Sequence, residues 1–246
     1  MACVSAYLRP GTLGEALACL DRPGAVVVGG GTKVNAAATL EPVVVIDLQG
    51  LDIDLIERVG DRSLEIGATA TFQRLGGNAS VPAAIREAAG REQPSTLRAL
   101  ATIGGLVATG DPSSELLATL LVHGARVSLA GRDGARDLEL AALLADGTSL
   151  AGRIITSVTV ETGGVTSAFR TARTPADRAI VAAVARRAPD GLRRLALTGV
   201  AAAPVLVPPT PGAAAALDPP GDFRGSTEYR RVLAGVLARR ALEAIG

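Results

Sequence analysis

The chain of 246 residues has no tryptophan, one histidine, one methionine and two cysteines, and aromatic residues make up only 2% of it. Each scarcity excludes something. Two thiols, Cys3 and Cys19, can neither build a disulfide framework nor supply the four thiolates that an iron–sulfur cluster commonly takes. A single imidazole, His123 in LLVHGARV, reads as structural, so no metal centre is expected. Charge is nearly balanced, with 25 Lys and Arg against 24 Asp and Glu. It is also scattered, without the basic stripe and interleaved aromatics that nucleic-acid binding uses. No apolar run is long enough to span a bilayer, and the N-terminal stretch lacks a charged leader followed by an unbroken apolar core, so a cytoplasmic location is expected.

What remains is aliphatic. Hydrophobic residues are 48% of the chain, so the core is Ala, Val, Leu and Ile, in one large or two small domains. A flat cofactor would rest on aliphatic surfaces. Along the chain, Thr12-Leu13-Gly14-Glu15 is a capping box before a helix of about two turns. The runs 25–28 and 43–48 read as buried strands, and 63–68, 126–130 and 153–161 as further strands. A short helix opens at Pro82, and an amphipathic one follows the turn Asp111-Pro112-Ser113-Ser114. Strands and short helices mix without the alternation of a doubly wound sheet. Gly163-Gly164 marks a boundary. Beyond it, 167–170, 179–184 and 195–200 read as three strands, although the second fits a helix on periodicity alone. Residues 204–221, rich in Pro and Ala, read as a linker or distorted helix, and 227–245 as a final helix with Tyr229, Val232, Leu233, Val236 and Leu237 on one face.

Two glycine segments carry the functional signal. The strand ending at Val28 runs into Gly29-Gly30-Gly31-Thr32, followed by Lys33 and Val34, and such a turn can present several N–H groups in a concave arc suited to phosphate. A plain tight turn is the other reading. It is neither the spaced-glycine dinucleotide fingerprint nor a P-loop. The second segment, Thr102-Ile103-Gly104-Gly105, would let two arcs clamp the two halves of a pyrophosphate.

These residues resemble the flavin-binding medium subunits of the molybdenum hydroxylases, the type found in carbon monoxide dehydrogenase and in the FAD domain of xanthine dehydrogenase. The likeness runs through Tyr7-Leu8-Arg9-Pro10, the Gly29 to Thr32 loop, Ile46-Asp47-Leu48, the turn from Ile66 to Thr71, and Thr102 to Gly105 with an acid, Glu115, eleven positions past Gly104. Ser167-Ala168-Phe169-Arg170 and Ser226-x-x-Tyr229-Arg230-Arg231 extend it to the C-terminal part. The resemblance implies an α+β fold: a two-lobed FAD-binding domain of the vanillyl-alcohol-oxidase/PCMH type over 1–163, with subdomains 1–55 and 56–163, then a small C-terminal domain over 164–246 with a three-stranded antiparallel sheet and helices. It implies FAD as cofactor, with both glycine loops on its pyrophosphate, Glu115 at the adenosine ribose and Arg170 near the flavin ring. The implied partners are a molybdopterin-binding large subunit and a [2Fe–2S] small subunit, with NAD or another acceptor receiving the electrons.

Three positions depart from the family pattern. Leu106 stands where an Asn usually follows the second pair of glycines, Lys33 stands where a small polar residue usually follows the first loop, and 204–221 replaces a regular helix. Alternatives therefore stand beside the subunit reading: a stand-alone FAD-dependent oxidoreductase in a specialised biosynthetic pathway, or a non-redox descendant that has lost FAD. Glu115 can equally be a first-turn residue favoured by the helix dipole, Asp47 a turn acceptor, and Arg170 a surface charge.

Overall fold

The structure, a computed structural model, describes residues 3–34, 41–146, 150–174, 177–210 and 212–246. Three sheets follow one another along the chain. Strands β1 (Val4–Leu8), β2 (Ala25–Val28) and β3 (Val43–Asp47) form a parallel sheet in the order β1-β3-β2, with helix α1 (Leu13–Cys19) crossing between the first two. The β-branched run Val43-Val44-Val45-Ile46 lies at the centre because a strand paired on both edges suits Val and Ile.

The second sheet is antiparallel, in the order β4-β5-β8-β6-β7, from β4 (Ile56–Val59), β5 (Ser63–Gly67), β6 (Arg126–Gly131), β7 (Gly134–Glu139) and β8 (Arg153–Glu161). Between β5 and β6 come α2 (Phe72–Gly77), α3 (Ala83–Glu92), α4 (Ser95–Arg98), α5 (Ile103–Thr109) and α6 (Glu115–Val122), and α7 (Leu140–Ala145) leads into β8. Every residue of α6 is buried, as expected for a helix that is apolar all round. It lies between the main core and the third sheet.

That third sheet is an antiparallel meander of β9 (Val165–Thr171), β10 (Val181–Arg187), β11 (Arg193–Thr198) and β12 (Val205–Val207), closed by helix α8 (Thr227–Ala244). Its strands alternate. Ala183, Ala185, Leu195 and Leu197 pack toward α8, whereas Val184 and Ala196 join the core around α6, the two-residue period of a strand buried on both faces.

Two expectations need correction here. The C-terminal sheet has four strands rather than three, because Val205-Leu206-Val207, inside the segment read as linker or distorted helix, pairs with β11; α8 is the one α-helix among the described residues of that part. Its buried face is also different: Arg230, Ala234, Leu237, Ala238, Ala241 and Leu242 turn inward, while Tyr229 and Val232 are exposed. The physical reason is Arg230, whose Nη1 donates to Ile180 O at 3.0 Å and Gly199 O at 2.9 Å while Nη2 pairs with Asp222 Oδ1 at 2.6 Å. A buried guanidinium satisfied on all sides can occupy a core position. Among the described residues no helix is long and apolar enough to cross a membrane.

Candidate functional site

The site begins where β2 ends. Asp47, the last residue of β3, accepts from Gln49 N at 3.0 Å and starts a single 3₁₀ turn, Leu48–Gly50. Gln49 Nε2 then donates to Gly29 O at 3.0 Å. One strand end thus pins the glycine loop of its neighbour, and Asp47, which also accepts the Tyr7 hydroxyl at 2.8 Å, acts as a turn acceptor.

Glycine is required because the loop presses on the second glycine segment. A Cβ on Gly29 would sit 2.5 Å from Thr102 Oγ1, and one on Gly30 would sit 1.6 Å from Leu100 O. Gly31 has φ +73°, a conformation that other residues adopt only at a cost. Among the described residues, the N–H groups of Gly29, Gly30, Gly31 and Thr32 donate to no protein acceptor, and these residues are half-buried. Unpaired donors in a partly enclosed loop need a partner.

The second segment differs. Ile103 N donates to Ala70 O at 3.0 Å, Gly104 N to Ala68 O at 2.8 Å, and Gly105 N to Thr102 Oγ1 at 3.2 Å, where Thr102 caps α5. In this structure the open N–H groups therefore lie on the first loop, and those of the second segment are taken up within the protein. The glycines of the second segment serve packing: a Cβ on Gly104 would meet Ala68 Cβ and O at 2.9 Å.

Two adjoining cavities share a wall of Val27, Gly29, Thr102, Gly105 and Ala108. The first also takes in Val28, Gly30, Gly31, Thr32, Lys33 and Val34, with Phe72 and Leu106 as apolar surface. The second is mostly apolar, with Leu48, Ala68, Ile154 and Ile155. At its edge Arg153 bonds Asp133 Oδ2 through Nη2 at 2.5 Å, while its Nη1 is buried without a hydrogen-bond partner among the described residues. Of the residues marked in the sequence, Ile103 is fully buried behind the wall and Gly104 lines the second cavity alone. Glu115 and Arg170 line neither. Instead Arg170 Nε pairs with Glu115 Oε1 at 2.9 Å, and Arg91 Nε lies 3.4 Å from Glu115 Oε2.

The first cavity holds an ionic cluster that sequence reasoning missed. Lys33 Nζ and Arg178 Nη1 both reach Asp111 Oδ2, at 3.2 and 2.7 Å, and Arg178 Nη2 reaches Glu92 Oε1 at 2.9 Å. Glu92 Oε2 accepts from Leu116 N at 3.2 Å, which places a carboxylate at the N-terminal end of α6. Burial pushes the Glu92 carboxyl up to about 7, against the opposing pull of Arg178 and the Leu116 N–H. Burial acts on Asp111 in the same direction, but Arg178 and bonds from Ser113 and Lys33 outweigh it and hold that carboxyl below its ordinary value. One signal could have exposed Glu92: an acid at the C-terminal end of a helix, as in α3, opposes the dipole and implies a partner elsewhere.

Open loop N–H groups beside two cations suit an anionic centre, and an apolar slot with a buried guanidinium donor suits a planar heterocycle bearing acceptors. Together they define a dinucleotide-binding protein. The family described as the FAD binding domain in molybdopterin dehydrogenase matches residues 3–160, and the chain belongs to it; its cofactor is FAD. The protein YgfM of Escherichia coli K12 is 31% identical over 250 residues, covering 95% of this chain and 93% of that one. The carbon monoxide dehydrogenase medium chain of Afipia carboxidovorans is 29% identical over 278 residues, covering 96% and 95%. A crystal structure of Cu,Mo-CO dehydrogenase in its cyanide-inactivated form superposes with a TM-score of 0.88 at 26% identity, over 100% of this chain and 98% of that one. The chain is an FAD-binding subunit of the molybdenum hydroxylase type.

Proposed function

We propose that this chain carries electrons through FAD between a [2Fe–2S] small subunit, served by a molybdopterin-binding large subunit, and a terminal acceptor such as NAD. The observation that carries the reading is the near end-to-end likeness to a carbon monoxide dehydrogenase medium chain, joined to a cleft whose open donors match a diphosphate. Bound FAD supplies a centre able to exchange electrons singly or in pairs.

The protein's own residues bind and orient. The N–H groups of Gly29 to Thr32 meet phosphate oxygens, and Val28 and Val34 bound that loop. Thr102 with Ile103, Gly104 and Gly105 forms the opposing wall, whose role is shape. Arg153, at the edge of the apolar slot, would help hold the polar rim of the heterocycle there. Glu115, at the first position of α6, pairs with the Arg170 guanidinium, and this pair ties the C-terminal sheet to the helix behind the cleft rather than lining it.

The test is the visible spectrum of the purified chain, with identification of the flavin released on denaturation, followed by co-purification with candidate partner subunits. FAD near one per chain and recovery of a molybdopterin subunit with an iron–sulfur subunit are expected. A chain that takes up no added FAD would overturn the reading. FAD bound by a chain that turns over substrate alone, without partners, would instead favour the stand-alone oxidoreductase.

A further inference from the structure

The first cavity contains more charge than a passive cradle needs. Lys33, on the glycine loop, and Arg178, between β9 and β10, are far apart in the chain, yet both end on one oxygen, Asp111 Oδ2. Two cations converging on one carboxylate oxygen is the arrangement a bridging phosphate oxygen would receive. Both side chains are also reachable, at 45% and 33% exposure.

We propose that Lys33 and Arg178 are the cations that take the diphosphate of the bound dinucleotide, Asp111 and Glu92 being their placeholders, so that loading the cleft ties the C-terminal lobe to it. This rests on the FAD reading. After the exchange Asp111 Oδ1 keeps Ser113 N at 3.1 Å and Ser113 Oγ at 2.9 Å, and Glu92 Oε2 keeps Leu116 N; the buried Glu92 carboxyl, deprived of Arg178, takes up a proton, toward which burial already pushes it. Partly exposed ion pairs are individually weak, whereas guanidinium–phosphate contacts are bidentate and stronger. The cations accordingly move to the better anion, and the first loop, the α5–α6 turn and the β9–β10 connection close on a common centre.

The inference adds Arg178 to the binding residues and gives Lys33 a role as a phosphate ligand. It also implies that FAD and inorganic pyrophosphate compete for one pair of cations.

The experiment titrates wild type, Lys33→Gln, Arg178→Gln and the double variant Arg178→Gln/Glu92→Gln with FAD, following flavin fluorescence, with and without inorganic pyrophosphate as competitor. The double variant guards against misfolding caused by leaving Glu92 buried without its cation. In wild type, pyrophosphate competes with FAD. Each cation variant, and the double variant, is expected to weaken FAD about tenfold or more, as for a lost bond to a charged group, and to lose sensitivity to pyrophosphate. Wild type that binds FAD while Lys33→Gln or the double variant stays within twofold of it would overturn the inference and leave the FAD reading intact. Wild type that binds no FAD would overturn both.

Discussion

The two glycine segments look alike in sequence and do different work. Both place adjacent glycines at the cleft, the first in a loop and the second in the opening turn of α5, and both admit close approach of other backbone. Yet the loop from Gly29 to Thr32 leaves its N–H groups open to the cavity, whereas Ile103, Gly104 and Gly105 donate theirs to Ala70, Ala68 and Thr102. Glycine shows only that something comes near the backbone. Hydrogen-bond accounting decides whether that something is a ligand or the protein itself.

The comparison can be broken at either loop, and the effects should rank by how hard the new atom collides. Gly30→Ala places a Cβ 1.6 Å from Leu100 O, which backbone can relieve only by separating the loops; the expected loss is about 3 kcal/mol or more, read by denaturant unfolding, with FAD content falling in parallel. Gly104→Ala meets Ala68 at 2.9 Å and should cost about 1–3 kcal/mol, while FAD affinity of the folded fraction stays within a few-fold of wild type. Equal loss of affinity in both variants would erase the distinction between the loops.

A third test addresses the ionic anchor that only the first cavity has. The Glu92 carboxyl lies at about 7 in the fold, raised from 4.5 chiefly by burial, so in that window the folded state binds the extra proton and Glu92 makes stability fall as pH rises. His123 has the opposite sign. Burial, with the Arg186 and Arg194 charges, lowers it from 6.5 to about 4 despite its bond to Glu161 O, so it makes stability rise between those values. The two oppose each other in wild type. Glu92→Gln should therefore climb more steeply with pH than wild type between about 4.5 and 6.5 in urea titrations; parallel profiles would mean that the fold leaves the Glu92 carboxyl at its ordinary value, and would count against burial as its governing influence. The smallest effect is expected for Thr102→Ala, which removes the cap on Gly105 N for about 1 kcal/mol, seen as a drop of a few degrees in Tm. It also frees one N–H in the second segment, and so sharpens the contrast.

Much of the frame could be read directly. Val43 to Ile46 and the alternation over 153–161 announce their strands because buried strands need β-branched residues in a simple pattern. The edge strands β1 and β7 are largely exposed, and β12 has only three residues, none of them buried, so they carry no such pattern. The face of α8 was misjudged because Arg230 occupies the core through bonds to Ile180, Gly199 and Asp222, partners that only the fold brings near. At the site, the first loop was visible as a strand ending in three glycines. The cluster of Lys33, Glu92, Asp111 and Arg178 was not, since its members come from four separate segments and no local spacing links them. Glu115 and Arg170 were both marked, yet their pairing with each other is a tertiary fact.

The most direct test of the central claim is amide chemical-shift mapping of the folded chain on addition of FAD, comparing Gly29 to Thr32 with Ile103 to Gly105. Large shifts and new exchange protection are expected at the first group, with the Ile103 and Gly104 amides nearly unmoved because their acceptors in the protein do not change. Large shifts at Ile103 and Gly104, with the first loop silent, would contradict that claim.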